Sequence, residues 1–239
     1  MGEILAIIPA RAGSKRIPDK NIKPLGGIPL IEHTILSAIH CELIDRVLIT
    51  SNIPNCNRFA QKHGIQYVDR PDILCEDDSN DYDVIQHALR SLDNRWEMIA
   101  YLRPTTPHRA DYHLCEAIKT MRGADKNATG LRSVEEMAES AYKCYTMPTP
   151  WLSPIVDDCV DKTDWPNQQV TKTFRPNGYI DIIRPETLAK GNLWGDWCVG
   201  YVTPRTLEID TMDDWAYAEY LSAREVEAPM RFGRRTVNE

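Results

Sequence analysis

Residues 4–21 read ILAIIPARAGSKRIPDKN. The stretch opens on an apolar run, Ile4 to Ile8, of the length and branching that a buried strand needs. Pro9 is expected to end that run. A loop follows with the small residues Ala10, Ala12 and Gly13 and the cations Arg11, Lys15, Arg16 and Lys20. Small residues let backbone N–H groups approach a ligand closely, and cations neutralise it. A charge run by itself is more often a solvated face. Here the cations follow a buried strand directly, which is how open α/β sheets bind phosphates at strand carboxyl ends. Neither the GxxxxGK[ST] nor the GxGxxG spacing is present, so neither a Walker loop nor a dinucleotide-binding oxidoreductase is indicated.

The rest of the chain continues an α/β rhythm. After a Gly26–Gly27 turn, Leu30, Ile31, Thr34, Ile35, Ala38 and Ile39 recur at helical spacing and mark a face packed on the sheet. Arg46–Ser51 reads as a second strand, 55–63 as a helix ending at Gly64, and 65–68 as a third strand. This order implies a parallel sheet with helices on both faces, a Rossmann-like α/β fold. Arg70-Pro71 opens an acidic segment, DILCEDDSNDYD, before a helix over 82–92. Its plain reading is a solvated loop with helix-start carboxylates. The strand 98–102 runs into RPTTPHR, where Arg103, Thr105 and Thr106 stand at a strand's carboxyl end. His108 reads as structural. A helix over 111–121 and a strand over 127–133 follow.

From about 139 to 173 the pattern breaks. Four prolines punctuate short β-prone pieces, one of them AYKCYTM with Lys143, and Trp151 and Trp165 stand in polar surroundings. A loop this long is rarely structureless, so it is read as an insertion with its own hairpin. Its aromatics suit a dimer contact, with a flap packed on its own domain as the open alternative. FRPNGYIDIIRP then brings Arg175, Asn177 and Asp181. A short helical turn over 186–190 and a strand over 199–202 lead to LEIDTMDDWAYAEYL. That stretch is read as strand end, turn and helix, with Thr211 as N-cap and Asp213 and Asp214 in the first turn. Glu208 and Asp210 alternate along the expected strand end and would face one way, hard carboxylates suited to magnesium. Their plain reading is ordinary acidic residues at a strand terminus. Residues 231–239 are polar and expected to be mobile.

The chain has 239 residues, 26% charged and 42% hydrophobic, ordinary values for one large globular α/β domain plus a small lobe. Its net charge of −7 argues against a general nucleic-acid or membrane-surface binder, so the basic opening loop favours a small anionic ligand. No apolar run is long enough to span a membrane, and a core strand follows Met1 too closely for a secretory signal. The seven cysteines (41, 56, 75, 115, 144, 159 and 198) form no CxxC pair and read as reduced thiols of a cytoplasmic protein.

The form ARxGSKRxPxKN in residues 10–21 resembles the opening motif of the sugar-activating nucleotidyltransferases, and most of all the CMP-sialic acid synthetases (acylneuraminate cytidylyltransferases). RPTTPHR resembles that family's LQPTSPLR, FRPNG matches its FRPNGxxY, and EIDT stands at its Asp-x-Asp-Thr; the likeness runs from residue 4 to about 219. The resemblance implies transfer of CMP from CTP to an acidic keto sugar, with magnesium and a homodimer whose 139–173 lobe supports the partner's site. It implies nucleotide contacts from Ala10, Arg11, Gly13, Ser14, Lys15, Lys20, Asn21 and Arg70, with Arg11, Lys15 and Asp210 central to catalysis. It implies that the acidic segment closes over the base and ribose. On the sugar side it implies Arg103, Thr105, Thr106, Lys143, Arg175, Asn177 and Asp181, with metal at Glu208 and Asp210. The sequence departs from the family at Asn52, Arg103, His108, Asn167, Asp181 and Glu208. Those departures leave the acid open among sialic, legionaminic-type and octulosonic (Kdo or amino-Kdo) sugars. They also leave open a degenerate, non-catalytic sugar-nucleotide binding module.

Overall fold

The computed structural model describes residues 2–92, 95–156 and 162–227. Cys159 and the polar 231–239 stretch lie outside the described residues. Seven strands form one sheet: β1 (Ile4–Ala10), β2 (Arg46–Ser51), β3 (Gln66–Asp69), β4 (Met98–Tyr101), β5 (Gly130–Glu136), β6 (Phe174–Ile183) and β7 (Cys198–Val202). Their spatial order is β7-β5-β6-β4-β1-β2-β3, and β6 alone runs antiparallel to its neighbours.

Side-chain alternation along β1 explains the layers. Ile4, Ala6, Ile8 and Ala10 join one core with Ile31, Ile35 and Ala38 of α1 (Leu30–His40) and Leu114, Ile118 and Met121 of α4 (Asp111–Gly123). Leu5 and Ile7 join the opposite core with Ile85 and Ala88 of α3 (Asp81–Arg90) and with Leu188. Burial on both faces is why β1 is an unbroken apolar run rather than an alternating one. The remaining helices are α2 (Asn57–His63), α5 (Pro185–Ala189) and α6 (Met212–Glu227). Ile39 does not join the packed face of α1; it is 41% exposed at the last turn.

The sheet winds outward from β1 through β2 to β3, then returns to place β4 on the other side of β1. Loops after β1 and β4 therefore diverge, and the crevice between them is where such sheets hold ligands. The antiparallel β6 matters here. Its register sets Asp181 against Tyr101 at the end of β4, so the irregular 176–181 stretch lies at the same rim as the two loops.

Two strand expectations change. Pro9 does not end β1, which pairs in register with β2 through Ala10. A proline forfeits one ladder donor, and close to a strand end that loss is tolerated. Residues 207–210 are irregular rather than a strand end; Ile209 N donates to Thr105 O at 2.8 Å. A third core cluster joins Ile17 of the basic loop, Leu25 and Leu30 to Ile209, Trp215 and Ala218, tying the loop to α6. The insertion does carry its own hairpin, Tyr145–Thr146 paired with Ser153–Pro154. Among the described residues no helix is long and apolar enough to cross a membrane.

Candidate active site

Between the loops after β1 and β4 lies a cleft of about 550 Å³. Its lining includes Arg11, Ser14, Lys15, Arg16, Lys20 and Asn21 from the first loop, and Arg103 and Thr105 from the second. Arg70, Glu76, Asp77 and Asp81 of the acidic segment and, from further along the chain, Asp210 line it as well. Gly13 adopts a φ of +77°, a left-handed turn that favours glycine, and lines an adjoining hollow with Arg11 and Asp77. Asn21, buried, donates to Arg11 O at 3.0 Å and so holds the loop's own backbone. Asn52 does the same from β2's end: its Oδ1 accepts from Ala12 N at 2.9 Å.

The cations of this cleft differ in how they are matched. Arg70 is 6% exposed, and its Nε and Nη2 have no hydrogen-bond partner among the described residues. A buried guanidinium with unmet donors is costly unless something anionic completes it. Arg11 donates to Cys75 O at 2.7 Å and to Asp77 Oδ1 at 2.9 Å, and Lys15 donates to the other oxygen of Asp77. Those contacts with Lys15 and Arg11 hold the Asp77 carboxyl below its ordinary pKa. The acidic segment thus reaches over the basic loop and sets one carboxylate between its two leading cations. Lys20 Nζ donates to Ile209 O at 2.7 Å and to Asp210 Oδ1 at 3.3 Å.

On the other side of the cleft, Arg103 is clamped. Its Nη2 donates to Asp81 at 2.6 Å and its Nη1 to Asp181, while Tyr101 OH donates to Asp81 at 2.8 Å. Burial works against the Arg103 charge, but Asp181 and Asp81 outweigh it and raise the pKa. Asp181 is fully buried and also faces Arg132 Nε at 3.5 Å. It is therefore a structural counter-ion rather than a group lining the cleft. Thr106 and Asn177 are buried as well. Asn177 accepts from Ser133 Oγ and donates to Thr203, and Thr106 accepts from Arg109. These side chains shape the rim without opening onto the cleft. Arg175 pairs with Glu135, Lys143 pairs with Glu139 and Asn167, and neither lines the cleft. Ala10 contributes only buried backbone at the end of β1.

Glu208 and Asp210 remain close enough to interact although no strand presents them. Burial raises the Glu208 pKa, and the Asp210 charge raises it further. Among the described residues no cluster of three or more acidic, His or Cys side chains could hold a metal. Two carboxylates plus substrate phosphates are a fitting donor set for magnesium, which binds through one or two carboxylates. Thr211 and Asp214 form a reciprocal capping box: Asp214 N donates to Thr211 Oγ1 at 3.2 Å, and Thr211 N to Asp214 Oδ2 at 2.8 Å. Asp214 also accepts from Asp210 N at 3.1 Å, so the cap fixes the backbone that carries Asp210.

Sequence reasoning gave Asp77, Asp81 and Arg109 no individual contact in this rim, and read Asn52 only as a departure from the family. Asp77 and Asp81 carried a signal, an acidic run of a size to answer the basic loop, and Arg109 stood in the RPTTPHR segment at a strand's carboxyl end.

Comparison with known proteins agrees with this architecture. The chain is 28% identical over 225 residues to the N-acylneuraminate cytidylyltransferase of Escherichia coli O18:K1:H7, covering 90% of this chain and 51% of that protein. It is 28% identical over 138 residues to the CMP-N,N'-diacetyllegionaminic acid synthase of Legionella pneumophila, covering 55% of this chain and 58% of that one. The chain spans about half the length of these curated relatives. In fold it is similar to a CMP:2-keto-3-deoxy-manno-octonic acid synthetase complexed with CTP, with a TM-score of 0.71 at 16% identity, covering 93% of this chain and 99% of that one. It also resembles the 4-diphosphocytidyl-2C-methyl-D-erythritol synthase of Anaerococcus prevotii, with a TM-score of 0.64 at 14% identity, covering 93% and 97%. The sequence model of the cytidylyltransferases matches residues 5–143, more than half of the chain, and the protein belongs to that family.

Proposed function

We propose that this protein transfers CMP from CTP to the anomeric hydroxyl of an acidic keto sugar of the sialic or nonulosonic type, releasing pyrophosphate. The observation that carries the reading is Arg70, buried with two donors unmet, on the same cleft as Arg11, Lys15, Lys20 and Asp210. Such a cleft suits a polyanion held near a carboxylate. The sialic and legionaminic names of the curated relatives support the choice of acid.

Nucleotidyl transfer asks the protein mainly to position and to neutralise. Arg11 and Lys15 neutralise the phosphates once Asp77 gives way. Arg70 binds the nucleotide from the cleft floor, and Lys20, held at Ile209 O, keeps its ammonium beside Asp210. Asn21 and Asn52 fix the loop backbone at Arg11 O and Ala12 N. A magnesium ion, held by Asp210 and Glu208, would neutralise phosphate charge and raise the acidity of the attacking hydroxyl. Arg103, its charge already matched by Asp81 and Asp181, orients the acceptor by shape and direction rather than by net attraction.

The reading extends to a cytoplasmic homodimer joined through the 139–173 insertion, where Trp151 is 78% and Trp165 39% exposed on the single chain. Pyrophosphate release with four triphosphates and a panel of eight- and nine-carbon keto acids tests the chemistry. CTP is expected to exceed ATP, GTP and UTP in kcat/KM by at least about tenfold. Equal rates across the four would overturn the cytidylyl assignment. Turnover of only the eight-carbon acids would move the acceptor to the octulosonic class.

A further inference from the structure

The RPTTPHR loop contains a second arginine that the proposed chemistry does not use. Arg109 is 5% exposed, and its hydrogen-bond acceptors among the described residues are carbonyls and hydroxyls, not carboxylates. Its Nε donates to Tyr179 O at 2.6 Å and its Nη1 to Thr34 Oγ1 at 3.2 Å. Its Nη2 donates to Arg103 O at 3.0 Å and to Thr106 Oγ1 at 2.8 Å. One planar group thus joins three separate segments: the loop after β4, the turn at 177–179 in β6, and α1. Tyr179 reinforces the join, since its hydroxyl donates to His108 O at 3.1 Å and accepts from Ala110 N at 2.7 Å. Gly178, at φ +62°, lies between, and a Cβ there would sit 3.6 Å from Arg103 Cδ and 3.7 Å from Glu208 Oε1.

Burying a charge against neutral acceptors is expensive, and burial lowers the Arg109 pKa to about 10. Apolar packing would fill the same space without that cost. Only a guanidinium, with five donors in a fixed fork, reaches acceptors in several directions at once. What those acceptors share is position. The carbonyl of Arg103 and the hydroxyl of Thr106 belong to the loop that lines the cleft with Arg103 and Thr105, and the carbonyl of Tyr179 belongs to the turn packed behind that loop.

We infer that Arg109 is a positioning residue for the acceptor half of the site, fixing the 103–106 loop against the 177–179 turn so that Arg103 and Thr105 present one arrangement to the sugar acid. The inference rests on the acceptor-transfer reading for its kinetics but not for its geometry. Arg109→Lys keeps the charge and loses the fork.

In the full-length chain, Arg109→Lys is expected to raise KM for the accepted keto acid by about tenfold or more, with KM for CTP within about twofold of wild type. Hydrogen exchange in peptides covering 102–110 and 177–181 is expected to quicken while 46–51 stays protected. If Arg109→Lys is recovered unfolded, Tyr179→Phe, which removes the two hydroxyl contacts at little change of volume, is expected to shift acceptor KM and exchange in the same directions. Wild-type exchange at 102–110 in the folded variant would overturn the inference, as would KM values for CTP and acid rising together in equal measure. Should the wild type turn over no keto acid, the transfer reading falls and exchange alone decides. Faster exchange at 102–110 with unaltered CTP binding then upholds the positioning role, and unchanged exchange removes it.

Discussion

Asp77 competes with the ligand that the cleft suits. Its carboxylate bridges Arg11 and Lys15, the cations proposed to take phosphate. Substitutions on the two sides of that contact should therefore act in opposite directions. Arg11→Ala and Lys15→Ala are expected to lower kcat/KM by about 10²–10³, as losing a donor to a developing anion commonly does, with native circular dichroism. Asp77→Asn is expected to lower KM for CTP, because the empty site loses its internal anion. A raised KM in Asp77→Asn would make Asp77 a substrate ligand instead. Asp210 and Asp213 make a second contrast. Asp210→Asn is expected to cut kcat by orders of magnitude and shift the magnesium requirement upward, because Asp210 is the carboxylate proposed to hold the metal and it pairs with Lys20. Asp213→Asn is expected to cost only about 0.3–1 kcal/mol of stability through the helix dipole. Identical magnesium titrations for the two variants would show the carboxylates to be structural. The basic loop was legible because its residues are contiguous. Asp77 and Arg109 were not, because Asp77 meets Arg11 and Lys15, and Arg109 meets Thr34 and Tyr179, some sixty or more residues away along the chain.

At the scale of elements, apolar patterning located the strands well. β2 begins and ends where RVLITS does, and Gly64 takes the left-handed position at the end of α2. The reading failed where one contact outweighed a pattern. LEID alternates like a strand, yet its described backbone link to the β4 loop is the single bond from Ile209 to Thr105. Its geometry comes instead from the capping box at α6 and from Lys20. Thr211→Ala is accordingly expected to destabilise the protein by about 0.5–2 kcal/mol, measured by urea unfolding. Because the same box holds the Asp210 backbone, the magnesium requirement should rise as well. A stability loss with an unchanged magnesium curve would separate the cap from the metal site. Ile39 shows the same limit: helical spacing marks a stripe, but the stripe ends where the sheet does.

For the molecule as a whole, the insertion and the residue after it expose several large apolar side chains, Met147, Trp151, Leu152, Ile155, Trp165 and Phe174, on the surface of the single chain. Solvation of that much apolar surface is unfavourable, and a second subunit would relieve it. Light scattering is expected to give a mass near twice the chain's 27.3 kDa. Trp151→Glu is expected to halve that mass and lower activity. A fully active monomer at micromolar concentration would refute the dimer reading. The two-faced α/β sheet was visible in the sequence because each strand carries its own signature, whereas surface pairing depends on a shape that no single segment encodes.

The cluster of Ile17 with Ile209, Trp215 and Ala218 has a consequence for the order in which the protein acquires its parts. Strands β1 to β4 can assemble from the first hundred or so residues, all at modest sequence separation. The basic loop is not completed so early, because Ile17 packs on Ile209, Trp215 and Ala218 as well as on Leu25 and Leu30, and the Lys20 ammonium meets Ile209 O and Asp210. A growing or refolding chain would hold a sheet before it could hold a nucleotide. The same order reversed applies under mild denaturant: release of α6 would abolish the proposed transfer while the strands remained paired, so that this activity is expected to fade ahead of circular dichroism.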